Sequence, residues 1–258
     1  MRGHLPNTEP RPRAIAIVGS RRCTKYGEQV AYEAAYQLAK LGIIIVSGLA
    51  YGIDTCAHRG CLDAGGITIA VLGTPIDQIH PRSNEQLAER ILERGAIISE
   101  LPSGAAVHAF NFSFRNRIVA GLADATLIVE AADKSGTMST AKYTDDQNKS
   151  IYAVPGDINH PMSKGCNRLI QEGAMVYTEP SDLMYEFHIE GRSAKVRDYL
   201  ACSPEEQLII CAIDRGKNRD EDIISETGLS PAVFTSNTTM LQLKNLIKSI
   251  GNGEWALV

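Results

Sequence analysis

The sequence predicts a doubly wound α/β protein with a mostly parallel sheet, followed by a small C-terminal winged-helix domain. Three observations carry this. From Ala14 to Tyr177, short β-branched runs alternate with longer amphipathic ones. Those short runs are apolar almost throughout, as strands covered on both faces must be. From Ser203 the pattern changes to helix, turn, helix, glycine hairpin and a final apolar strand.

The strands expected in order are Ala14–Val18, Ile43–Val46, Ile67–Leu72, Ala96–Ser99, Thr126–Glu130, Ile151–Val154 and Ala174–Tyr177. The first helix is expected over Gln29–Leu41, where Val30, Ala34, Leu38 and Leu41 recur at spacings of three and four. Residues 1–13 read as an N-terminal tail, 14–185 as the α/β domain, 186–202 as a linker and 203–258 as the winged-helix-like domain. Ser203-Pro204-Glu205-Glu206 has the cap, proline and acids of a helix start. Gly228 marks the turn between the next two helices.

The chain has 258 residues and a formal net charge of −4. It shows no overall basic signature, so a nucleic-acid partner would have to be met by a local basic patch. Residues 203–258 hold five Lys/Arg against eight Asp/Glu, which suits protein interaction or a structural role better than a phosphate backbone. No apolar run is long enough to cross a bilayer, and "MRGHLPNTEPRPR" lacks the apolar core of a signal peptide. A cytoplasmic protein with its six cysteines as free thiols is expected.

Three strand-to-helix turns carry candidate chemistry. The first strand runs into "VGSRRCTKYG", where Gly19 and Ser20 form a turn and Arg21, Arg22 and Lys25 supply cations. Without a second close glycine it is not a dinucleotide fingerprint. The second strand ends in "VSGLAYGID", where Ser47 and Gly48 allow close backbone approach and Asp54 is placed to cap the next helix. The fifth ends in "IVEAADKSGTMSTA", with Lys134, Ser135 and Gly136 at a helix start. It lacks the triphosphatase signature. Turns at the C-terminal ends of parallel strands share one crevice, where such sheets bind ligands.

Glu130 reads as a strand-end carboxylate paired with Arg or Lys rather than a general base, because no matched nucleophile is visible. Cys56, His58 and Cys61 in "CAHRGC" fit no common metal spacing and read as packing residues. No catalytic residue, metal or cofactor is therefore expected.

"NFSFRNRIVAG" sets Arg115, Asn116 and Arg117 in an apolar run. Two permanent charges there need partners. Residues two apart on a helix lie roughly 200° apart, so the arginines should face different ways. Arg115 is expected to face the ligand crevice and Arg117 to brace a carboxylate such as Glu130 or Glu100. For Phe110, Phe112 and Phe114, packing against the sheet is favoured over the alternative, contact with the faces of a ligand's bases.

These segments, with "GGITIAVLGT" and "YAVPGDINHPMSKGCNRLIQEGA", resemble the DprA/Smf family of DNA-processing proteins in order and spacing from Ala14 to about Met184. The R-N-R segment and S-G-L-A-x-G-I-D are the most specific. Ser113 stands where the family often has proline, and thirteen residues before the first strand are too few for the sterile-alpha-motif-like domain many members carry. The resemblance implies an extended Rossmann domain that binds single-stranded DNA as a homodimer. It also implies loading of a RecA-type recombinase during natural transformation, without enzymatic activity. Arg21 after Gly19-Ser20, Arg115, Arg117 and Lys134 before Ser135-Gly136 are the DNA contacts it implies. A nucleotide phosphoribohydrolase of the lysine-decarboxylase-like type, with Glu130 or Asp54 as acid or base, is the alternative. The P-G-G-x-G-T-x-x-E pattern of that group is missing.

Overall fold

The computed structural model describes residues 1–5, 11–183, 186–187, 202–214, 216–244, 246–251 and 253–257. It divides into two compact units, Met1–Phe187 and His188–Val258. Most of the expected linker, residues 188–201, lies outside the described residues.

In the first unit, an eight-stranded sheet is built from β1 (Arg2–Gly3), β2 (Ala14–Val18), β3 (Ile44–Ser47), β4 (Thr68–Leu72), β5 (Ala96–Ser99), β6 (Ala125–Ile128), β7 (Ser150–Ala153) and β8 (Met175–Val176). The order is β1-β5-β4-β3-β2-β6-β7-β8, with every pairing parallel except β1 on β5. The chain winds outward from β2 to β5, then returns to the other side of β2 and winds outward again. The switch point of this doubly wound sheet lies between β2 and β6. The part of the sequence read as a tail thus contributes an edge strand, an addition that two residues without periodicity could not announce.

The intervening helices are α1 (Lys25–Lys40), α2 (Ile53–Asp63), α3 (Glu85–Arg94), α4 (Ala109–Leu122), α5 (Gly136–Asp146) and α6 (Lys164–Gln171). Strand residues alternate between two cores. Ala14, Ala16, Val18, Val46 and Val71 pack with Val119 of α4, Ala141 of α5 and Cys166 of α6. Ala70, Leu72 and Ile97 pack with Leu62 of α2 and Leu87 and Ile91 of α3. Burying each such Leu or Ile stabilises the fold by about 1.5–3 kcal/mol, before the cost of ordering it. Helix α1 starts four residues before the expected Gln29, because the Thr24 hydroxyl accepts from the Gly27 N–H and caps an earlier turn.

The second unit comprises α7 (Pro204–Asp214), α8 (Asp220–Thr227), α9 (Pro231–Leu243) and a hairpin of β9 (Ile247–Gly251) and β10 (Glu254–Leu257). Arg219 bridges to Glu254 beside that hairpin. The order is that of a winged helix. Ser203 and Glu206 close a capping box, each side chain accepting the other's backbone N–H, at 3.2 and 2.6 Å. Gly228 ends α8 in the left-handed region at φ 68°. Ile209, Ile223, Phe234 and Leu241 form this unit's own core.

His58 illustrates how the first unit's core treats charge. It is 0% exposed, with Nδ1 2.7 Å from the Thr68 hydroxyl. Thr68 donates its proton to Ile45 O, so it must accept from His58 Nδ1–H. The neutral ring then carries its proton on Nδ1, and the buried Nε2 lacks a hydrogen-bond partner. Burial, with Arg115 nearby, pushes the imidazole down from 6.5 to about 3. A depressed pKa gives stability that is present above pH 6.5 and lost as pH falls towards 3. The expected loss approaches about 1.4 kcal/mol per pH unit. Urea unfolding of the wild type and His58→Gln across this range checks it. Their difference isolates His58, because Asp54, whose raised pKa acts with the opposite sign, titrates in both.

Candidate functional site

The strand-end turns at the switch point converge with the N-terminal half of α4 around one crevice of about 470 Å³. Of the expected site residues, it brings together Gly19, Ser20, Arg21, Arg22, Gly48, Arg115, Asn116, Ser135 and Gly136. A smaller hollow beyond Phe112 shares Arg21, Gly48 and Arg115 and continues towards Tyr51 and His80.

The β2 turn is held rigidly. The Ser20 N–H donates to Glu130 O at 2.7 Å, and the Ser20 hydroxyl accepts from the Arg22 N–H at 3.1 Å. Gly19 is required by close packing, since a Cβ there would lie 2.6 Å from Ile53 Cγ1. Arg21 and Arg22 leave this turn as exposed side chains, with the Arg21 guanidinium 5.6 Å from the Phe112 ring centre.

Glu130, buried at the end of the neighbouring strand, corrects the expectation that it pairs with Arg or Lys. It accepts instead from the Thr24 N–H at 2.8 Å and the Thr24 hydroxyl at 2.6 Å. Gly27 lets it approach, because a Cβ there would lie 2.6 Å from the Glu130 carboxyl.

The arginines of α4 face different ways, as the helical spacing requires. Arg117 pairs with Glu100 and lies over the Phe114 ring at 4.4 Å. Arg115 is only 6% exposed and forms part of the crevice floor. Its guanidinium donates to Gly48 O at 2.7 Å, to Val71 O, and through Nε to Asn116 Oδ1 at 3.1 Å. Burial lowers its pKa to about 10, with Asp54 acting in the opposite direction, so it stays charged at neutral pH. Asp54 itself is not the helix cap expected. It turns back to accept from the Gly48 and Ala50 N–H groups at 3.1 and 3.3 Å. Burial raises its pKa, while Arg115 and those N–H donors oppose the rise. Arg115 thus lines the crevice as expected, but as a buried cation whose guanidinium also holds the ends of β3 and β4.

Asn116 joins α4 to the third turn. Its amide donates to Gly136 O at 3.2 Å and to the Ser139 hydroxyl at 3.0 Å. The start of α5 presents Gly136 and Thr137 to the crevice, and the buried Ser135 hydroxyl has no hydrogen-bond partner. An exposed helix start of this kind suits an anion.

Four expected residues lie elsewhere. Ser47 is 0% exposed and donates to Ile17 O at 2.7 Å, so its hydroxyl braces β2 against β3. Lys25 is exposed and pairs with Glu28 at 2.7 Å. Arg117 is held by Glu100, and Lys134 is exposed on the turn before α5 without lining the crevice. Phe110 and Phe114 are exposed rather than packed on the sheet, while Phe112 lines the crevice. Met162 joins the crevice without any local sequence pattern to reveal it. It comes from a distant segment and accepts from the Ser20 hydroxyl at 3.3 Å. Among the described residues no cluster could hold a metal ion, and no helix is long and apolar enough to cross a membrane.

Comparison with known proteins bears on this arrangement. A family model described as DNA recombination-mediator protein A matches residues 1–188. Protein Smf of Escherichia coli is 43% identical over 171 residues, which are 66% of this chain and 46% of that protein. The solved DNA processing protein A of Streptococcus pneumoniae superposes with a TM-score of 0.63 at 39% identity, over 68% of this chain and 62% of that one. The Helicobacter pylori structure, described for its single-stranded DNA binding mode, gives 0.64 at 32% identity, over 69% and 81%. The chain thus spans about half the length of the E. coli relative. With that match over most of its length and this shared doubly wound fold, the chain belongs to the DNA recombination-mediator protein A family.

Proposed function

We propose that the crevice binds single-stranded DNA by its phosphates, and that the protein protects that strand and passes it to a RecA-type recombinase as a non-enzymatic mediator. In this reading it acts as a cytoplasmic homodimer during natural transformation. One observation carries the reading: two exposed arginines, a rigid glycine-serine turn and the start of α5 converge on one open crevice at the switch point. Flexible cations and backbone N–H groups match a phosphate chain and demand no particular base. The single-stranded DNA binding mode described for the Helicobacter pylori relative supports the same ligand. In this reading Lys134, exposed on the turn before α5, extends the cationic track beyond the crevice.

The alternative, a phosphoribohydrolase, needs a free carboxylate as acid or base. Both available ones are engaged, Asp54 by backbone N–H groups and Glu130 by Thr24. A labelled oligo-dT and the corresponding duplex, titrated by fluorescence anisotropy, decide between the readings. Tighter binding of the single strand is expected. Absent binding together with hydrolysis of a nucleoside monophosphate would establish the enzyme instead.

A further inference from the structure

Helix α4 presents a second face whose residues the crevice does not use. In its N-terminal half, Ala109, Phe112, Ser113 and Asn116 line the crevice, while the residues it buries are Arg115, Val119 and Ala120. Phe110 and Phe114, four residues apart, are 63% and 48% exposed. At 100° per residue they lie together with Arg117, on an arc that adjoins the crevice face at Ser113. Ser113 is itself exposed and lines the crevice, so the two surfaces are continuous.

Each ring has one partner on the protein. His108 stacks on Phe110 with centres 5.5 Å apart and planes 8° from parallel. The Arg117 guanidinium lies over Phe114 and is paired with Glu100. Phe110 and Phe114, exposed to this degree, contribute little to the core. Their ring faces instead suit flat aromatic ligands. A phosphate chain leaving the crevice past Ser113 would bring its bases onto them.

We propose that His108, Phe110 and Phe114 form a nucleobase-stacking platform for the strand that emerges from the crevice. This rests on the single-stranded DNA reading above. Stacking a base on an aromatic side chain contributes about 1–3 kcal/mol and tolerates any sequence. Backbone contact in the crevice and base contact on α4 would then divide the work, and duplex DNA, with its bases enclosed, would gain nothing from the platform.

The test uses the full chain, with anisotropy titrations of oligo-dT and of an abasic oligomer of equal length. Phe110→Ala and Phe114→Ala should each weaken oligo-dT binding by about tenfold or more, equivalent to about 1.4 kcal/mol. Binding of the abasic strand should be unchanged, and Phe114→Leu, which keeps apolar area but no ring, should behave as the alanine variant. Unchanged oligo-dT affinity, or equal losses on both strands, overturns the platform. Sedimentation showing that these variants lose a dimer would also overturn it, assigning the face to a second copy. If Arg21→Ala/Arg22→Ala loses binding while the phenylalanine variants keep it, only the platform fails. If neither set loses binding, the crevice reading fails as well.

Discussion

Arg115→Ala is expected to destabilise the first unit by about 3–5 kcal/mol, a large part of the stability of an ordinary domain. The reason is not a lost surface contact. Arg115 is buried, holds Gly48 O and Val71 O, and is the cation facing Asp54. Its removal leaves two strand-end carbonyls without their donor and a buried carboxylate without its nearby cation. Gly48 is bound into the same arrangement, because any Cβ there would collide with the guanidinium. Asp54→Asn in the Arg115→Ala background should recover part of the loss, since it removes the stranded charge while keeping an acceptor for Gly48 and Ala50. Urea unfolding of the two variants checks this. A single variant as stable as the wild type would mean that Arg115 is free to serve a ligand, as its sequence context suggests. Weakened DNA binding by Arg115→Ala is therefore no evidence of direct contact until folding has been measured.

The second large effect concerns the cations that remain available. Arg21→Ala/Arg22→Ala should lower the affinity for oligo-dT at low salt by roughly a hundredfold, about tenfold per arginine, and leave stability nearly unchanged. Both side chains are exposed on a turn whose geometry is set by backbone and Ser20 hydrogen bonds rather than by the arginines themselves. A matched unfolding curve with reduced binding is the expected pair of results. Reduced binding accompanied by unfolding would place these arginines in the structure rather than in the interface.

What the sequence discloses follows from the range over which each signal acts. The strands are legible because burial on both faces leaves them almost wholly apolar; Ala96–Ser99 and Ala14–Val18 fall where expected. The three turns are legible because glycine, serine and helix starts are local. The partners of the charged side chains are not. That Arg117 meets Glu100 follows from helical geometry plus a short list of carboxylates. The burial of Arg115 does not, because it depends on β3 and β4 ending together beneath α4. Glu130 is hidden for the same reason, since Thr24, 106 residues earlier, gives no sign of being its partner. The outward-facing phenylalanines look like core because an apolar residue in a helix carries no mark of which side is covered.

The central claim is that exposed arginines of the β2 turn neutralise phosphates of a single strand. The salt dependence of oligo-dT binding tests it most directly. For a single strand, the slope of log K against log salt is about −0.7 per phosphate contacted. Arg21→Ala/Arg22→Ala should therefore reduce the steepness of the wild-type slope by about 1.4, twice the value for one contact. The same slope in both proteins, at whatever affinity, would contradict the account.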